Sequence, residues 1–255
     1  MRTSNPVLSD SAIDRVVDDL SVPDDARTLT ERFTIIGVTQ RALLLIGLLL
    51  IGGYVGWSLV DVDDGVVVGF PGWIVPAMLG MLGVAVLTFF KPDLAHVTGP
   101  LYAVGQGVVV GAISRVYEVE FDGIVLQAFL GTALTALATL GAYRSGRIRV
   151  TPQFRKVVII ATLGVMALYL VNLGMSVFGF GDIGLITDSG AVGIGFSLFV
   201  VGLAAMNLVL DFDLIERGEA EGWPAKMMWF GAFALIVTLV WLYLEMLRLL
   251  AKLRD

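Results

Sequence analysis

The chain has 255 residues, of which 57% are hydrophobic and 16% charged. Soluble domains run at roughly 45–50% apolar and about 25% charged, so this composition is that of a membrane protein. With no cysteine, disulfides, iron–sulfur clusters and cysteine nucleophiles are excluded, and the single histidine, His96, cannot build a histidine metal site alone. The net charge of −6 argues against nucleic acid as a partner.

The first stretch, MRTSNPVLSD, is polar with no hydrophobic region behind it, so no cleavable signal peptide is expected. Residues 1–34 are expected to form a polar, acidic, cytoplasmic leader. Ile13, Val16, Val17 and Leu20 fall at helical spacing after Ser9 and Asp10. They predict a short amphipathic helix stopped by Pro23, with a loosely ordered leader as the alternative. The polar face of that helix, Asp14, Asp18 and Asp19, would be repelled by anionic lipid. Thr28-Leu29-Thr30-Glu31 fits a capping box and predicts a helix start.

Seven apolar runs follow, at about 42–60, 66–90, 100–117, 123–143, 157–179, 189–213 and 228–250. Each is long enough, or nearly so, to cross a hydrocarbon core of ~30 Å at about 1.5 Å per residue. The connections are short and polar, so residues 35–255 are expected to be one transmembrane domain. Lysine and arginine set its orientation. The 61–65 and 180–188 connections have none, whereas the 144–156 connection carries Arg144, Arg147, Arg149, Arg155 and Lys156. Lys91, Arg217 and Lys226 lie on the same side as that connection, which places the N-terminus in the cytoplasm. Arg115 opposes this weakly. Arg248, Lys252 and Arg254 oppose an outside C-terminus more strongly, leaving the last segment either a full span or a shorter, re-entrant one. Small residues in the third, fourth and sixth runs, Gly107-xxx-Gly111 among them, predict close helix packing and no site.

Charge inside the apolar runs is the functional signal. An ionised side chain in lipid costs a few kcal/mol or more, so it calls for a partner, a proton or a water-filled cavity. Asp211 ends the sixth run and shares a helical face with Asn207, one turn earlier. Asp213 points elsewhere and has Arg217 at i+4 as a partner. Glu216 is expected to be solvated. Glu245 sits inside the last run, with Arg248 at i+3 as a local partner. If Glu245 instead faces Asp211, the two carboxylates titrate as a unit. Hard oxygen ligands of this kind suit Ca²⁺. A protonated pair sharing a hydrogen bond would close the site, and a deprotonated pair would repel itself and admit a cation. One distance works against such a pair. If the last helix starts near Lys226, Glu245 lies roughly 28 Å along it, too deep to meet Asp211.

Lys91, in Phe89-Phe90-Lys91-Pro92, lies on the same side as Asp211 and is a candidate latch, though an ordinary positive-inside lysine explains it as well. Gly179-Phe180-Gly181-Asp182 spells the GxGD signature of presenilin-type proteases. Asp182 and Asp211 should nevertheless lie most of a bilayer apart, ~30 Å, so a shared-proton protease site is rejected. No Ser–His–Asp set or phosphate loop is present, and no enzymatic activity is expected.

In its order of features the chain resembles the bacterial branch of the transmembrane BAX inhibitor motif (Bax inhibitor-like) family over about residues 28–254. The most specific parts are GFSLFVVGLAAMNLVLDFDLIERG, from Gly195 to Gly218, and VTLVWLYLEMLRLLAKL, from Val237 to Leu253. The resemblance implies an all-α membrane protein, a bundle of seven transmembrane helices with the last helix central. It places the functional acidic pair, pH sensor and transient Ca²⁺ site on Asp211 and Glu245, a latch on Lys91, and secondary roles on Asp213 and Asn207. It also implies a pH-sensitive Ca²⁺ leak of the cell membrane with no cofactor, Ca²⁺ being the transported ion. Its partners are then the lipid bilayer, Ca²⁺ and protons. Some relatives bind membrane proteases or other membrane proteins, so a non-conducting regulator is the alternative. Glu rather than Asp in the seventh helix lengthens the reach of that acid, and Lys rather than Arg at the latch gives up bidentate pairing.

Overall fold

A computed structural model describes residues 32–68 and 72–255. Leader residues 1–31, with the expected amphipathic helix and the Thr28–Glu31 capping box, lie outside the described residues. The first helix, α1 (Ile35–Ser58), begins where Thr34 is extended and its hydroxyl accepts from the Gly37 N–H at 3.0 Å. That bond satisfies one orphan donor of the first turn. A tight hairpin follows, β1 (Val62–Asp63) against β2 (Val66–Val67), with Asp64 and Gly65 both at positive φ. Two successive left-handed residues are what a two-residue hairpin turn requires. The 66–90 run is therefore not helical throughout: its β-branched start pairs as a strand, and α2 covers only Ile74–Phe90.

A 3-10 turn at Pro92–Leu94 leads into α3 (Ala95–Glu120). The next helix is α4 (Ile124–Arg144), whose exposed N-terminal amides are met by Glu118. Its Oε1 accepts from the Gly123 N–H at 2.8 Å and its Oε2 from the Val125 N–H at 3.0 Å. Then come α5 (Pro152–Val177), the single turn α6 (Gly184–Thr187), α7 (Ala191–Ala220) and α8 (Met227–Arg254). Among the described residues six helices are long and apolar enough to cross a membrane. The 17-residue α2 is a seventh, shorter apolar helix of about 25 Å. The all-α membrane architecture is as expected.

The last helix is central. It packs on α1, α3, α4 and α7, and its Phe233, Ile236, Leu242 and Leu247 are fully buried. Against it, α1 and α3 form the tightest seam. A Cβ at Gly56 would fall within the Val108 carbonyl, and one at Gly111 within the Gly53 carbonyl. Glycine is thus what lets the two backbones touch. By contrast α5 packs mainly on α7 and buries fully only Val158 and Val165.

The two ends of the bundle are fixed by polar contacts. At the Thr34 end, the Phe33 N–H donates to the Trp223 carbonyl at 2.9 Å and Lys226 pairs with Asp93 at 2.9 Å. At the Asp255 end, Arg254 donates to the Asp122 carbonyl and Ser189 to Asp255, both at 2.9 Å. So α8 is one continuous 28-residue helix that traverses the whole bundle, which excludes the re-entrant alternative. Two of the three basic residues that argued against this are engaged internally. Lys252, 5% exposed, donates to the Gly193 carbonyl at 3.0 Å, and Arg248 pairs with Glu245. They are partners within the bundle, not loop charges.

Candidate functional site

Asp211 lies on α7, roughly 14 Å from its Ala220 end at the rise of an α-helix. Its Oδ2 is buried and has no hydrogen-bond partner. Thr238 of α8 stands against it, itself buried and about 17 Å into that helix, so the two share one depth. Asn207, one turn earlier, does not serve Asp211. Its amide donates to the Thr162 hydroxyl of α5 at 2.8 Å and to the Leu203 carbonyl at 2.9 Å. A buried carboxylate oxygen without a donor is uncommon, because losing water without replacement costs a few kcal/mol.

Glu245 is the opposite case. It is 1% exposed, yet both of its oxygens are satisfied. Arg248 Nη1 lies 2.8 Å from Oε1 and 2.9 Å from Oε2, and the Trp241 indole N–H donates to Oε1 at 3.2 Å. The same Arg248 nitrogen is 2.7 Å from the Tyr169 hydroxyl of α5, and the guanidinium lies 4.8 Å from that ring's centroid. The cluster Trp241–Glu245–Arg248–Tyr169 is a closed buried ion pair, the local i+3 pairing weighed from the sequence.

No hydrogen bond joins the two acids among the described residues. Thr238 and Glu245 are two helical turns apart, so Asp211 and Glu245 sit at levels about 10 Å apart along α8. The structure therefore presents two polar stations along the central helix rather than one shared-proton dyad. The open station is at Asp211 and the neutralised one at Glu245.

The other sequence-selected residues fall around this axis. Asp213 accepts from Arg217 at 2.9 Å, as the i+4 spacing suggested, and also from Arg155 at 2.7 Å. Glu216 accepts from the Tyr143 hydroxyl instead of facing solvent alone. Lys91 ends α2, is exposed and makes no ion pair among the described residues, while its neighbour Asp93 holds Lys226. Asp182 meets Asn172 beyond the far end of α5, across the bundle from Asp211. Among the described residues no group of three or more acids or histidines is placed to hold a resident metal.

Sequence reasoning missed Thr238, Trp241, Tyr169 and Arg155. A signal for two of them was present. Arg155, Thr162 and Tyr169 are spaced by seven, with Val158 and Val165 between them, and this heptad stripe is the face that α5 turns to α7 and α8. Thr238 and Trp241 carried no such signal, because a Thr and a Trp in an apolar helix are ordinary.

No curated protein and no solved structure matches the chain. The family model described as Bax inhibitor 1 like does match, over residues 5–255. The match runs over nearly the whole length of this all-α membrane bundle, and the chain belongs to the Bax inhibitor 1 like family.

Proposed function

We propose that the protein is a passive Ca²⁺ leak of the cell membrane, opened and closed by protonation of an intramembrane carboxylate, and that Asp211 is that carboxylate. The observation that carries the reading is the partnerless buried Oδ2 of Asp211. A buried carboxylate oxygen with no donor is stabilised by a proton or by a cation, and hard oxygen suits Ca²⁺. With the proton on, the station is neutral and does not attract the ion. With the proton off, the charge draws a divalent cation inward, and the Thr238 hydroxyl offers a further oxygen at the same depth. Flux therefore rises as pH rises. Glu245, already neutralised by Arg248, is in this reading the fixed anchor of the central helix and α5. Lys91, free of any ion pair among the described residues, is available as the latch that closes the Thr34 end.

Orientation follows from charge. Arg32, Lys91, Arg144, Arg147, Arg149, Lys156 and Lys226 lie at the Thr34 end, against Arg115 and Arg254 towards the other. By the positive-inside rule the Thr34 end faces the cytoplasm. Asp211 then lies in the cytoplasmic half of the bundle and the Glu245–Arg248 pair in the outer half. No enzymatic step and no cofactor enter this reading.

The test is Ca²⁺ entry into dye-loaded liposomes containing the purified protein, measured across pH. The expected result is entry above that of protein-free liposomes, rising towards alkaline pH. Entry equal to the protein-free rate at every pH would overturn the leak and favour the non-conducting regulator that docks on a membrane protease or channel.

A further inference from the structure

A cavity at the Thr34 end is lined in part by Phe212 and Asp213, next to Asp211. There α1 and α4 both lean on α8 yet barely touch each other, and the cavity opens between them with a volume of about 520 Å³. Its floor and walls are apolar: Val38 of α1, Leu140 of α4 and Leu235 of α8. Its rim is basic, with Arg144 ending α4 and Arg149 on the following loop, and Thr39 opposite them on α1. The geometry points to a site for one anionic phospholipid of the cytoplasmic leaflet, its phosphate held by Arg144 and Arg149 and its acyl chains laid between α1 and α4.

Three observations carry this. The first is depth: the rim is at the end of α4 and the floor about one to two helical turns inward, where headgroup gives way to hydrocarbon. The second is charge. Two carboxylates also line the cavity: Asp213 is paired with Arg155 and Arg217, and Glu216, which accepts from Tyr143, keeps its charge, so Arg144, Arg149, Arg155 and Arg217 exceed the two acids by two positive charges. Arg144 and Arg149 make no ion pair among the described residues, so the cation surplus at the rim is unspent. Guanidinium groups match phosphate oxygens by paired donation, and basic clefts between membrane helices are suited to such headgroups. The third is continuity. On the same helical faces, one turn deeper, Leu43 of α1 and Leu137 of α4 are 63% and 65% exposed, giving the chains an apolar track below the cavity.

The proposal does not depend on ion conduction and is tested without it. The full chain in neutral detergent is titrated with phosphatidylglycerol or phosphatidylcholine, and bound lipid is counted by native mass spectrometry. Expected is one retained phosphatidylglycerol with no equivalent phosphatidylcholine, weakened roughly tenfold or more in the Arg144→Gln/Arg149→Gln variant by loss of the two charges near the surface. Thr39→Trp, which fills the gap without touching either arginine, should lower retention as well. Equal retention of the two lipids, or unchanged retention in both variants, overturns the site. Retention seen only after Asp14→Asn/Asp18→Asn/Asp19→Asn would assign the basic rim to the acidic leader instead and equally overturn it. Equal thermal midpoints in lipid-free detergent show that each variant is folded.

Discussion

Arg248→Met is expected to destabilise the bundle by about 3–5 kcal/mol, the usual cost of breaking a buried pair by removing one partner. Glu245 is 1% exposed, and without Arg248 it keeps only the 3.2 Å bond from Trp241. The loss also reaches α5, because the Tyr169 hydroxyl meets the same guanidinium. Replacing both partners, as Glu245→Gln/Arg248→Met, removes the unpaired charge and should recover most of the loss. Reversible unfolding in mixed detergent micelles measures both variants. If the double variant were as unstable as the single one, the pair would not be the closed unit described above.

The second large effect is steric. Gly56→Ala should cost about 1–3 kcal/mol, the range for forcing extra atoms into a packed core. The new methyl would occupy the Val108 carbonyl, which is backbone and cannot rotate away, so α1 and α3 must separate. Gly47→Ala on the same helix is the control. Nothing lies within 4 Å of a Cβ there, and the substitution should be neutral or slightly stabilising through helix propensity. A loss of the same size at both positions would mean that the seam is not set by backbone contact.

Much of the architecture was legible because it rests on local rules. Runs of apolar residues of bilayer length mark the helices whatever they pack against. The Asp213–Arg217 and Glu245–Arg248 pairs could be read because i+4 and i+3 neighbours share a helix face. The depth of Glu245 was also legible, since rise per residue alone placed it too far along α8 to meet Asp211. What could not be read depends on which helices adjoin. Arg155 reaches Asp213 across 58 residues of sequence, and Arg248 reaches Tyr169 across 79. The side of the C-terminus was ambiguous for a related reason. Counting Arg248 and Lys252 as loop charges presumes that they face water, whereas one is paired with an internal acid and the other with the Gly193 carbonyl. The start of the second run misled because Val66-Val67 is as apolar as a span, and only the Asp64–Gly65 turn turns it into a strand.

A polar stripe binds α5 to its neighbours. Its three polar contacts, at Arg155, Thr162 and Tyr169, attach a helix with few buried apolar residues to the core at three depths. Two of them lie on either side of the Asp211 level, so the environment of that acid depends on α5 staying in place. That ties the structural role of Arg248 to the role proposed for Asp211 without requiring the two acids to touch.

Asp211 carries the proposed response to pH. In liposomes carrying Asp211→Asn, Ca²⁺ entry should lose its dependence on pH, because the amide cannot gain or release the proton, and should stay low throughout, because the neutral side chain does not draw the cation. Entry that keeps the wild-type slope with pH would contradict the assignment of the sensor to Asp211, whatever the absolute rate.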